Sequence, residues 1–146
     1  MKEISQILVP VDFEKHTSKL AAFALHMAEK LSADIIFLYV SEKFSSYAGL
    51  AHPSLELAAE ELFTYYQKKM VQLVDDSRGK YPRCRGQVVK GDIVDEIINF
   101  ARKEQSDLIV IGTHGSRGVE KIMLGSVAER VVKNAPCPAL TFNPHR

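Results

Sequence analysis

Two kinds of run alternate along this chain. Gln6-Ile7-Leu8-Val9-Pro10-Val11-Asp12 and Asp34-Ile35-Ile36-Phe37-Leu38-Tyr39-Val40 are short, rich in β-branched residues and nearly unbroken in apolar character. Strands covered on both faces read this way. Pro10 has no N–H to give to a ladder, which puts it close to the carboxyl end of the first strand. Asp107–Gly112 is the clearest strand of the same kind, Cys84–Val89 is a more polar one suited to a sheet edge, and Ala139–Phe142, beside Pro136 and Pro138, is a short last one. Between them apolar residues recur at spacings of three and four, the period of a helix with one buried face. The first such stripe is Leu20, Ala24, Met27, Ala28 and Leu31, with Thr17 or Ser18 as cap. The second, with Ser54 as cap, includes Ala58, Leu62, Tyr66, Met70, Leu73 and Val74, and Gly79 and Pro82 end it. The third, capped by Asp92, buries Val94, Ile97, Ile98 and Ala101; the fourth, Ser126–Asn134, turns Val127 and Val131 inward.

The order β-α-β-α-β-α-β-α-β predicts one α/β domain over residues 1–146. It is a three-layer sandwich with a five-stranded, mainly parallel sheet, helices on both faces and right-handed crossovers. In such sheets ligands collect beyond the carboxyl ends of the strands, where strand order reverses. Asp12, Val40, Gly91-Asp92 and the loop from Gly112 are therefore the candidate positions. Residues Ser41–Pro53 form an aperiodic connection containing Phe44 and Tyr47, long enough to serve as a lid, a partner surface or simply a mobile link.

Composition narrows the classes. With 146 residues the chain has the size of one domain, and 19 basic against 18 acidic residues give +1, no bulk attraction to nucleic acid or to an anionic membrane. No apolar run approaches the ~20 residues of a membrane span. Met1–Gln6 lacks the apolar core of a signal peptide, and Cys84 and Cys137 read as free thiols, so a cytoplasmic protein is expected. The five histidines show no metal-ligand spacing. Arg78, Lys80, Arg83, Arg85 and Lys90 are basic but have only Tyr81 as an aromatic neighbour, which suits a solvated helix end and edge strand better than a nucleic-acid surface.

The loop after Ile111 carries the chemistry. Gly112-Thr113-His114-Gly115 leads to Gly118, then to Gly125-Ser126 at the start of a helix. Glycines let backbone N–H groups approach an oxyanion, and a helix start offers unpaired N–H groups and a positive dipole end. Ser126 and Arg117 add further donors. Each glycine taken singly reads as an ordinary turn; together, after a buried strand and before a helix, they occupy the place that phosphate motifs require. The spacing is neither a Walker A loop nor the G-x-G-x-x-G fingerprint. His114 is the one candidate base beside the expected phosphates, and nothing in the sequence orients it for hydrolysis.

Gly112, Gly115, Gly125 and Ser126 form the pattern G-x-x-G-x₉-G-S, and on it the chain resembles the universal stress protein family. The likeness runs through Ile7–Phe13, Leu38-Tyr39-Val40, Gly91-Asp92, Ile111–Gly115, Leu124–Glu129 and Ala135–Pro138 in order. The resemblance implies an adenine nucleotide alpha-hydrolase-like fold, ATP binding, a stress-response role as sensor or regulator, and a homodimer paired through strand 139–142. It implies that Asp12 bonds the ribose or adenine side, that the Val40 main chain meets adenine, and that Pro10, Val11 and Ile111 line the pocket. Gly112, Gly115, Gly125, Ser126 and the Val127 N–H would hold the phosphates, with magnesium or manganese able to accompany them through phosphate oxygens. Glu14 follows Phe13 where many relatives carry Ser. From the residues alone, Asp12 could equally cap the next helix or be solvated. Two other functions share the pocket: a slow ATPase or nucleotide phosphohydrolase, and an interaction module that takes AMP, a cyclic adenine nucleotide or no nucleotide.

Overall fold

The computed structural model describes residues 2–42, 53–113 and 125–145. Nine elements follow one another: β1 (Gln6–Pro10), α1 (Thr17–Leu31), β2 (Asp34–Ser41), α2 (Pro53–Arg78), β3 (Cys84–Lys90), α3 (Ile93–Lys103), β4 (Leu108–Gly112), α4 (Ser126–Asn134) and β5 (Ala139–Phe142). The sheet order is β3-β2-β1-β4-β5, and all four neighbouring pairs are parallel. The expected mainly parallel sheet is wholly parallel.

The unbroken apolar runs have a direct cause. Ile7, Val9, Ile35, Phe37 and Val110 point to one face, where α1 and α2 cover them; Leu8, Ile36, Leu38, Ile109 and Ile111 point to the other, under α3 and α4. Every strand position must then be apolar, because neither face meets water. Asp92 caps α3 as the sequence indicates, its carboxylate accepting from the Asp95 N–H at 3.0 Å.

Three local expectations change. No side chain caps α1: the residue at its start is His16, and Thr17 is already helical. Its buried stripe is Leu20, Ala21, Ala24, Leu25 and Ala28, while Leu31 is exposed. The three alanines let the helix settle onto a face that side-chain hydrophobicity alone does not pick out. In α2 the inward stripe is real only over its second half. Met70 and Val74 are buried, but Ala58 and Leu62 are exposed. A helix of 26 residues is ~39 Å long and β3, at seven residues, only ~23 Å, so the first turns of α2 project past the sheet.

Candidate functional site

Strand order reverses between β1 and β4: the chain steps from β1 outward through β2 and β3, then crosses back to β4 on the other side of β1. At this point the sheet is least closed. The β1–β4 register covers only Ile7↔Leu108 and Leu8↔Ile109, whereas β4 continues to Gly112 and stays paired with β5 to Gly112↔Phe142.

Pro10 accounts for the opening. The Val11 N–H donates to Leu38 C=O at 2.9 Å, so Val11 faces β2. Backbone groups of successive strand residues point to opposite neighbours, and the Pro10 nitrogen therefore faces β4. It has no hydrogen to give, and the β1–β4 ladder ends there. The sequence placed this proline at the strand's carboxyl end, where it stands as the last residue of β1; its consequence for the neighbouring strand was not legible.

The same alternation orients Val40. Leu38 C=O faces β1 and Ser41 C=O accepts the Gly91 N–H on the β3 side at 3.0 Å. Val40 thus turns its N–H and C=O toward β1, beyond the last β1–β2 pair, Pro10↔Leu38. Its side chain is buried with those of Ile98 and Ile111, and Val11 is buried on the opposite face. What Val11, Val40 and Ile111 can offer the crevice is mainly backbone.

Asp12 follows directly, half-buried. Its Oδ1 accepts the Glu14 N–H at 2.9 Å and the Thr17 hydroxyl at 3.3 Å. The carboxylate thereby closes the turn that carries Phe13 at φ 58° and starts α1. Both bonds use Oδ1. Asp12 does not cap α1: it bonds the turn ahead of the helix and the hydroxyl of the first helical residue.

Phe13 leads into an aromatic group that sequence spacing did not assemble: its ring lies 5.3 Å from Tyr39 and 6.0 Å from Tyr66, and Tyr39 stacks on Tyr66 at 4.1 Å. Burial, a hydrogen bond with Tyr66 and the negative charges of Glu42 and Asp12 push the Tyr39 phenol above its ordinary value, so it remains neutral.

The far wall is the end of β4 and the start of α4. Thr113 N–H donates to Phe142 C=O at 2.9 Å, and Gly125 N–H donates to Thr113 C=O at 2.9 Å. Gly125 is the residue before the helix, and no side chain caps it. The first-turn N–H groups of Ser126 and Val127 are of the kind that lack helical acceptors, at the positive end of the helix. A Cβ on Gly125 would sit 2.8 Å from Thr113 C=O. The glycine is therefore required by the chain's own packing, not only by a ligand's approach. His114, Gly115, Arg117 and Gly118 lie outside the described residues. Among the described residues no cluster of three or more His, Cys, Asp and Glu could hold a metal ion, and no helix is long and apolar enough to cross a membrane.

The basic run resolves into local pairs. Arg78 Nε donates to Cys84 C=O at 3.0 Å, Arg83 pairs with Asp34 at 2.7 Å, and Arg85 pairs with Glu104 at 3.1 Å.

Known proteins share this fold. A universal stress protein of Methanocaldococcus jannaschii, MJ0531, is 36% identical over 136 residues, covering 92% of this chain and 79% of its own. The solved UspA of Lactobacillus plantarum superposes with a TM-score of 0.81 at 24% identity, over 97% of this chain and 99% of that one. A universal stress protein in complex with cAMP superposes at 0.65 (17% identity, 98% and 99% covered). One from Archaeoglobus fulgidus in complex with dAMP does so at 0.62 (19% identity, 96% and 98% covered). The family model described as Universal stress protein family matches residues 3–143, and the chain belongs to that family.

Proposed function

We propose that this protein binds an adenine nucleotide, ATP in the first instance, in the crevice between β1 and β4, and acts as a nucleotide-responsive regulator in the stress response. The observation that carries the reading is the early end of the β1–β4 ladder at Pro10, with Val40 backbone groups on one side and the uncapped start of α4 on the other. One N–H and one C=O from a single residue match the acceptor and amino donor on the adenine edge. Asp12 Oδ2 would accept from a ribose hydroxyl while Oδ1 keeps its turn. The first turn of α4, with Ser126 and Val127, would take the phosphates together with Gly112 and Gly115. A magnesium or manganese ion would be held through phosphate oxygens. The dAMP and cAMP complexes of the two related proteins support an adenine ligand. They also favour a second reading, in which a monophosphate is the physiological ligand.

The β5 edge supports a homodimer. Ala139–Phe142 carries no charge, and one of its sides has no strand partner among the described residues.

Mass spectrometry of the small molecule released on denaturation, with calorimetric titration of the stripped protein by ATP, AMP and cAMP, tests the proposal. Recovered ATP or ADP, or tightest binding of ATP, supports the nucleotide switch. Preference for AMP or cAMP selects the second reading, and failure to bind all three removes the site. Turnover of bound ATP is then measured on the wild type and on His114→Ala; unaltered or absent turnover excludes His114 as a base.

A further inference from the structure

Five arginines fall among the described residues, at positions 78, 83, 85, 102 and 130. The first three are engaged as described above. Arg102 and Arg130 form no ion pair with any described residue. Both line the same groove, of about 400 Å³, between α3 and α4. Its floor is apolar, made by Val94 and Ile98, both nearly buried. Asn99 and Asn134 complete the rim, and the Asn134 amide is tethered by donating to Arg130 C=O at 2.7 Å. Asp95 lines the groove too; seven residues before Arg102 on the same helix, it stands ~10 Å from it along the axis. The groove therefore carries two guanidinium groups and one carboxylate around the nearly buried Val94 and Ile98. It runs along the flanks of two helices and shares no lining residue with the crevice.

We infer that the α3–α4 groove is a second ligand site, for a small molecule with one phosphate group. Arg102 and Arg130 hold the phosphate, and Asn99, Asn134 and Asp95 take hydroxyl or amino groups of the remainder. Two guanidinium forks suit a dianion with three terminal oxygens, whereas one carboxylate is satisfied by a single fork. Asp95 disfavours a second anionic group beside it, so the ligand carries a single phosphate. The volume lies within the ~300–1,000 Å³ of small-molecule sites.

The test is NMR of the full chain, ¹⁵N-labelled, titrated with inorganic phosphate at constant ionic strength, with acetate as the comparison anion. Saturable shifts are expected at the amides of Asn99, Arg102, Arg130 and Asn134 and at the two arginine Nε–H groups. Arg102→Gln and Arg130→Gln, exposed helix positions, should each weaken these by roughly tenfold or more, the worth of one lost charge-assisted contact. Any shifts at Gly125 and Ser126 report the crevice and should persist in both variants, so failure of the nucleotide proposal is read separately. No saturable response in the groove, an equal response to acetate, or shifts unchanged in both variants would overturn the inference.

Discussion

Asp107, at the amino-terminal edge of the sheet, shows how much one side chain can organise. It accepts from the Ser5 N–H at 3.0 Å, the Ser5 hydroxyl at 2.8 Å and the Gln6 N–H at 3.1 Å, and pairs with Lys2 at 2.9 Å. Burial works to raise its pKa, but the bonds from Lys2 and Ser5 outweigh it and hold the carboxyl at about 2. The folded value lies below the unfolded ~3.9, so the stabilisation is fully present above about pH 4 and is lost as pH falls through about 2. Asp107→Ala should cost about 1–3 kcal/mol near neutrality, and urea midpoints of the two proteins should converge between pH 4 and 2. A gap that stays constant with pH would contradict this. At the other end of the sheet, Gly125 and Ser126 separate packing from binding. Gly125→Val drives a side chain into Thr113 C=O, so thermal stability and nucleotide affinity should fall together. Ser126 is exposed at the start of α4, and Ser126→Ala should leave the melting temperature nearly unchanged while weakening ATP by roughly threefold to tenfold, the worth of one hydrogen bond. Calorimetry beside a thermal melt distinguishes the two, and unaltered affinity in Ser126→Ala would remove that hydroxyl from the phosphate site.

Among the elements, α2 and β3 meet at a glycine. A Cβ on Gly86 would lie 2.4 Å from Met70 Sδ and 2.8 Å from Val74 Cγ2, so the helix rests on bare strand backbone. Gly86→Val should destabilise by about 1–3 kcal/mol, as overpacking does, and Met70→Ala in the same chain should recover part of that loss. Denaturant unfolding of the single and double variants reads the coupling, and strict additivity would show that helix and strand are not in register as described. This contact also marks where sequence reading ends. Element order, the Asp92 cap, both bounds of β5 and the position of Pro10 were legible, because each follows from local apolar period or from one residue's missing or extra donor. The phase of α1 was not, since alanines bury well but add little to a hydrophobic pattern. The projecting half of α2 was not either, because its apolar residues keep helical spacing whether or not a strand lies beneath them. Within the site, the Asp12 turn rests on Thr17 and the aromatic group on Tyr66, residues five and fifty-four positions away from Asp12. Only the fold brings them together.

For the whole molecule, the two edges of the sheet are unlike. β3 carries Arg85 and Lys90 and lies beside Arg83, charges that discourage another strand from adding there. β5 has none. Its own hydrogen bonds show which residues face outward: Ile109 N–H donates to Pro138 C=O and Thr113 N–H to Phe142 C=O, so Pro138, Leu140 and Phe142 turn their backbone to β4. Ala139 and Thr141 alternate with them and present theirs to the open side. A two-fold partner adding its own β5 antiparallel would use those groups, one set from each copy. Thr141→Pro removes an outward N–H without touching the β4 ladder, whereas Leu140→Pro removes an inward one. Sedimentation should therefore show a dimeric wild type and a monomeric Thr141→Pro that keeps the circular dichroism of the fold. Leu140→Pro should lose stability in the protomer itself, by about 3 kcal/mol or more. A Thr141→Pro protein that remains dimeric would place the two-fold on another surface. A monomeric wild type would leave the proposed nucleotide site unaffected, because its crevice is built within one protomer from β1, β2, β4 and α4.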